Sequence, residues 1–184
     1  MRQTTIAIID DHPILREGLA SLLRQRDGID VLATGASAGE AIAIAGAHKP
    51  DVMILDVQMP GDGLSAIGEI GRVSPQTRIL MFTAVQDVEI AKRALATGAS
   101  GFVEKGSASD DMLAAIEAVA NGGSYVSQSI AAKVIASLRT PARAVEQERT
   151  PLTVREAQIV ELLMRGGSNR DIAQALDISE KTVK

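Results

Sequence analysis

The sequence predicts an α/β fold, a doubly wound parallel sheet of five strands, followed by a small all-α unit that is incomplete at its C-terminal end. Three observations carry this. Short apolar runs alternate with stretches of helical 3,4 spacing, the pattern of βαβ units joined by right-handed crossovers. The run Val52-Met53-Ile54-Leu55 is apolar throughout and bounded by Pro50-Asp51 and Pro60-Gly61. Such a run reads as a strand buried on both faces, as in parallel sheets covered by helices. The texture then changes after Tyr125. Residues 1–126 hold 10 Lys+Arg against 16 Asp+Glu, and residues 127–184 hold 9 against 7. An acidic first part and a mildly basic second part indicate two units, the second suited to a polyanion.

Taken in order, residues 4–9 form the first strand and end at Asp10-Asp11. His12-Pro13 opens a helix whose Ile14, Leu15, Gly18, Leu19, Leu22 and Leu23 share one face. Residues 31–34 are the second strand. Ser37 with Glu40 three positions on has the form of a capping box, starting a helix to about residue 47. The third strand ends at Asp56, and residues 64–73 form a helix despite Gly68 and Gly71. Residues 78–83 are the fourth strand, and a helix over 87–97 stops at Gly98. Residues 101–104 form a short, edge-like fifth strand with Lys105 at its end. Ser109-Asp110-Asp111 caps the next helix, which Asn121-Gly122-Gly123 terminates.

The expected domains are 1–126, a helix and linker over 127–149, and a second unit over 150–184. Residues 129–138 read as a helix, and 140–149 as a polar linker. In the last unit, Thr153 and Glu156 form another capping box, Ser168-Asn169 starts a second helix, and Ser179 caps a third.

Composition narrows the chemistry. With 46% apolar but only 2% aromatic residues, the core must be built from Ala, Val, Ile, Leu and Met. The absence of Cys excludes disulfides, thiolate metal sites and cysteine nucleophiles. No apolar run approaches the ~20 residues of a membrane span, and the N-terminus has no long apolar segment of the secretory kind. A cytoplasmic location with no membrane partner is expected.

In such a fold the ends of strands one, three, four and five meet at one edge of the sheet. They carry Asp10 and Asp11, Asp56, Thr83, and Lys105. Three crowded carboxylates repel one another and call for a cation, and Mg²⁺ with oxygen ligands suits them. A carboxylate can also attack phosphorus to give an aspartyl phosphate. Lys105 then supplies a point charge and Thr83 a hydroxyl to the phosphoryl oxygens. Singly, these residues read as a turn, an ordinary strand threonine and a solvated cation; four strand ends in register do not.

On these residues the chain resembles the receiver domain of two-component response regulators, a flavodoxin-like fold, over about residues 3–125. The matching features are Asp10-Asp11, Asp56 followed by Met59-Pro60, Thr83-Ala84, and Lys105. The resemblance implies Asp56 as phosphoacceptor, with Asp10, Asp11, Asp56 and the backbone carbonyl of Gln58 holding Mg²⁺. It implies Thr83 and Lys105 as phosphoryl-binding groups and Phe102 as an aromatic that switches with Thr83. Two departures stand out. The loop Met59-Pro60-Gly61-Asp62-Gly63 is one residue shorter than the commonest form, and Gly106 replaces the frequent proline after Lys105.

The second unit resembles the LuxR/NarL-type helix-turn-helix of the same family, through Leu152-Thr153-Val154-Arg155-Glu156, residues 167–173 and residues 176–184. The helix opening near Ser179 would be the recognition helix in the major groove, with Lys181, Thr182 and Lys184 as its first DNA contacts. Most of that helix and a fourth helix are missing, so the natural chain is expected to continue past Lys184. The implied partners are a sensor histidine kinase, promoter DNA and a second copy of the chain. The implied function is not enzymatic. Two other readings compete: a phospho-dependent protein-interaction module without DNA binding, and a Mg²⁺-dependent phosphohydrolase with an aspartate nucleophile. The latter places its nucleophile in an Asp-x-Asp arrangement after the first strand, unlike Asp10-Asp11-His12-Pro13. His12, in a helix-opening turn, and His48, in a loop, read as incidental.

Overall fold

The computed structural model describes residues 3–84 and 87–139. The expectations for the linker and for 150–184, including Lys181, Thr182 and Lys184, fall outside the described residues.

The elements are β1 (Thr4–Ile9), α1 (Pro13–Arg24), β2 (Ile29–Gly35), α2 (Ala38–His48), β3 (Val52–Leu55), α3 (Gly63–Val73), β4 (Arg78–Thr83), α4 (Val88–Thr97), β5 (Gly101–Glu104), α5 (Ser109–Ala120), β6 (Tyr125–Val126) and α6 (Gln128–Arg139). All strand pairs are parallel, in the order β2-β1-β3-β4-β5-β6.

Successive strand side chains point to opposite faces, and here both faces are covered. Ile6, Ile8, Val52, Ile54, Leu80 and Val103 pack with α1 (Ala20, Leu23) and α5 (Met112, Ile116, Val119). Ala7, Ile9, Met53, Leu55, Ile79, Met81 and Phe102 pack on the other face with α2 (Ala41, Ala45), α3 (Ile67, Ile70) and α4 (Ala91, Ala94). This explains the unbroken apolar run of β3, which has no solvent face on which to place a polar residue.

Three features depart from the sequence reading. The sheet has six strands, not five. Tyr125–Val126 pairs with β5 through Gly101↔Tyr125 and Phe102↔Val126, so β5 is not an edge. Two residues are too few to show a period. Next, α5 has Ala108 as its N-cap with no side-chain bond, so Ser109 lies inside the helix rather than capping it. Finally, His48 is the last residue of α2, not a loop residue. Beyond β6, the Ser127 N–H donates to the Phe102 carbonyl at 3.0 Å. Ile130 of α6 is fully buried in the core cluster that contains Phe102. The compact unit accordingly runs to Arg139.

Candidate functional site

The order of the sheet reverses between β1 and β3, and in open α/β sheets the crevice past the strand ends at such a point is where ligands bind. Ile9 and Leu55 are register partners, so the next residues, Asp10 and Asp56, stand side by side. The Asp56 N–H donates to the Ile9 carbonyl at 2.9 Å. On the other side, Thr83 pairs with Glu104 at the ends of β4 and β5, and the Lys105 N–H donates to the Thr83 carbonyl at 2.8 Å. Asp10, Asp56 and Thr83 are all buried, Asp56 with 1% of its surface exposed.

The Lys105 ammonium lies between two of these acids, 2.7 Å from Asp56 Oδ2 and 2.8 Å from Asp10 Oδ2. Its side chain is only 12% exposed, which is at odds with the single-residue reading of a solvated cation that was set aside above. Burial alone would lower the Lys105 pKa, but the two carboxylates outweigh it and the net direction is upward. The Asp56 carboxylate also accepts from the Gln58 N–H through Oδ1 at 3.2 Å.

The short loop after β3 is folded tightly. Gly61 has φ +92 and Asp62 φ +63, and α3 begins at Gly63, where Asp62 caps it by accepting from Leu64 N–H. A Cβ on Gly63 would stand 2.2 Å from the Asp56 carbonyl oxygen. Gly63 is thus what lets a loop one residue short pass behind the end of β3.

The resemblance did not anticipate two neighbouring residues and a cavity. His12 donates its N–H to Asp10 Oδ1 at 2.8 Å, and its ring Nδ1 lies 3.1 Å from that oxygen and 2.7 Å from Asp11 Oδ1. Arg16 donates to the Asp10 carbonyl at 2.6 Å, tying α1 to the acidic loop. Between α1 and α5 lies a cavity of about 620 Å³ whose walls include Ile14, Leu15, Leu19, Phe82 and Met112. Asp56 and Lys105 also line it. The 3,4 spacing of α1 suggested a fully buried face, but Ile14 is 89% exposed. Phe102 is fully buried on the α2/α3/α4 side of the sheet, and β6 pairs beside it.

Asp10, Asp11, His12 and Asp56 each offer a ligand atom, all within 4.8 Å of one another. Asp10 Oδ2 faces Lys105 Nζ and Asp11 Oδ1 faces the His12 ring, so the clustered acids already attract positive charge. Clustered carboxylate oxygens fit a hard divalent cation such as Mg²⁺.

Fold and site together define a receiver-type signalling domain. Residues 6–117 match the response regulator receiver domain family, and residues 150–184 match the bacterial regulatory proteins of the luxR family. The chain belongs to the two-component response regulators that act as transcription factors. It is 35% identical over 181 residues to the nitrate/nitrite response regulator protein NarL of Escherichia coli strain K12, covering 98% of this chain and 84% of that one. It is 34% identical to the transcriptional regulatory protein DegU of Brevibacillus brevis, covering 97% and 82%. A LuxR-family two-component response regulator from Aurantimonas sp. superposes with TM-score 0.71 at 36% identity, covering 74% of this chain and 99% of that one. A structure of two RcsB dimers bound to two parallel DNAs gives 0.70 at 25% identity, covering 99% and 87%.

Proposed function

We propose that Asp56 accepts a phosphoryl group from a sensor histidine kinase and that the acyl phosphate controls DNA binding by the second unit. The observation that carries this reading is the buried Asp56 carboxylate ion-paired to Lys105 at the β1/β3 crevice. A carboxylate oxygen of Asp56 attacks phosphorus, the P–N bond of the donor phosphohistidine breaks, and its electron pair returns to the imidazole. The mixed anhydride formed on Asp56 carries more negative charge than the carboxylate it replaces. Lys105, already within 2.7 Å, moves its charge-assisted contact to the phosphoryl oxygens. The Thr83 hydroxyl supplies a further donor.

Mg²⁺, held by Asp10, Asp11, Asp56 and the Gln58 carbonyl, would offset charge that Lys105 alone cannot. Arg16 holds the Asp10 carbonyl and so fixes the acidic loop. The cavity between α1 and α5 is the path by which a donor residue reaches an acid that is itself almost wholly covered.

Phosphorylation draws Thr83 and Phe102, and hence α6, whose Ile130 shares the core cluster with Phe102, toward a second arrangement. We further assign residues 1–126 to the receiver, 127–149 to the connecting helix and linker, and 150–184 to the helix-turn-helix, with Lys181, Thr182 and Lys184 facing DNA. Promoter DNA, a second copy of the chain and a cytoplasmic location go with this reading. RcsB, a structural relative, has been captured as dimers on DNA. No described helix is long and apolar enough to cross a membrane.

Intact-mass measurement after incubation with a small acyl phosphate tests the assignment. One phosphate on the wild type with Mg²⁺, and none on Asp56→Asn or with the metal chelated, is expected. An adduct that survives Asp56→Asn would overturn it.

A further inference from the structure

We infer that the Glu104 carboxylate and the Ser129 hydroxyl form a latch that holds α6 on the receiver and opens when Asp56 is phosphorylated. The inference deepens the switch reading above and rests on it. Neither residue is among the acids and donors of the phosphoryl pocket.

Strand alternation sets Val103 toward α1 and α5, and Phe102 toward the face covered by α2, α3 and α4. Glu104 follows Phe102 by two positions and so leaves the sheet on the same face, where α6 buries Ile130. There its Oε2 accepts a hydrogen bond from the Ser129 hydroxyl, 25 positions further along the chain. Ser129 stands in the first turn of α6, which has no acid of its own. Glu104 thus supplies, from another element, the negative charge that a helix N-terminus favours.

The contact is built to open. The second carboxylate oxygen, Oε1, is buried and accepts no hydrogen bond from the described residues. A carboxylate covered with part of its acceptor capacity unused gains solvation when it swings out. Ser127 Oγ, 3.4 Å away, offers the Ser129 hydroxyl another partner once Glu104 leaves. The strand end that carries Glu104 is also the one that phosphorylation moves. Glu104 is the register partner of Thr83, and the Lys105 N–H donates to the Thr83 carbonyl at 2.8 Å. Thr83 and Lys105 both turn toward the phosphoryl group, and Glu104 is tied by backbone to each. Ser127 keeps its own bond to the Phe102 carbonyl at 3.0 Å, so α6 loosens about a fixed root.

Hydrogen exchange of the α6 amides in the full 184-residue chain tests this. Ser129→Ala strands the Glu104 carboxylate and is expected to speed α6 exchange at least about fivefold. In a Glu104→Ala background the same change should alter it less than about twofold. Mg²⁺ with beryllofluoride, a phosphoryl mimic, should speed α6 exchange at least about fivefold in the wild type and less than about twofold in Ser129→Ala. An equal effect of Ser129→Ala in both backgrounds would overturn the latch. So would wild-type α6 protection that the mimic leaves unaltered or raises, an arm that stands even where a variant loosens the whole domain. Fluorine NMR of the bound mimic separates the two readings. A bound signal lost in Asp56→Asn, with no release of α6, sinks the latch alone; no bound signal at all sinks the phosphoacceptor reading and the latch with it.

Discussion

Lys105 Nζ lies 2.7 Å from Asp56 Oδ2 although 49 positions of chain separate the two residues. The same ammonium stands 2.8 Å from Asp10 Oδ2. One cation thus neutralises acids from two different strands at the point where the sheet reverses. It holds the pocket together before any phosphoryl group arrives.

Replacing Lys105 by Met is therefore expected to cost both stability and response. Breaking a buried ion pair leaves uncompensated charge and costs on the order of 3 kcal/mol. Mg²⁺ should restore part of that loss, since it offers the same acids another cation. Urea unfolding of both proteins, with Mg²⁺ and with chelator, checks this. An unchanged midpoint in chelator would show that Lys105 is merely solvated.

Ile14 is 89% exposed at the rim of the cavity that reaches Asp56. Large apolar side chains so placed mark contact surfaces when they border an apolar groove. Ile14→Ser should slow phosphotransfer from the partner kinase at least about tenfold, roughly 1.4 kcal/mol. Phosphorylation by a small acyl phosphate should be unaffected, because that donor needs no protein contact. Equal slowing with both donors would mean that Ile14 supports the site and not the docking.

Much of this was legible in the sequence. The apolar run of β3, the acids closing β1 and β3, and Lys105 beyond β5 depend on a period and on strand ends, which one chain displays by itself. Other features depend on tertiary neighbours. The full burial of Phe102 could not be read because a two-residue β6 leaves no pattern. The strand-end position of Lys105 was legible, but its approach to within 2.8 Å of both Asp10 and Asp56 was not, because spacing shows no distances. His12 looked incidental although it directly follows Asp10-Asp11, the one clue that could have marked it. The loop ending at Gly63 was visibly short, but only the position of the Asp56 carbonyl shows why a side chain cannot fit at Gly63.

Gly63→Ala should accordingly be among the more damaging single-methyl additions. The added carbon would meet the Asp56 carbonyl at 2.2 Å and the Val57 backbone at 3.0 Å. Overpacking of this kind costs about 1–3 kcal/mol, occasionally more. Because the crowded atom belongs to Asp56, phosphorylation should fall as well. Thermal unfolding checks the first effect and adduct formation the second; a variant as stable and as readily phosphorylated as the wild type would show that the loop has room to move.

Asp62 gives the pH dependence. The Ser65 hydroxyl first, then the Leu64 and Ser65 backbone N–H groups, hold its carboxyl below the ordinary carboxylate range. A depressed folded pKa means stability that is present above the unfolded value of about 3.9 and is lost as pH falls through the folded one. Asp62→Ala removes the cap of α3 and should cost about 1 kcal/mol at neutral pH. The difference from wild type should shrink below about pH 4. Unfolding midpoints between neutrality and pH 3 measure it; a difference that grows on acidification would contradict the sign.

In the proposed function the phosphoryl group resides on Asp56 and nowhere else. The most direct measurement is residue-level mapping after phosphorylation with Mg²⁺ and reduction by borohydride, which converts an aspartyl phosphate to homoserine. Homoserine at position 56 alone is the predicted result. Homoserine at Asp10 or Asp11, or an unreduced Asp56 in protein that carries phosphate, would contradict it.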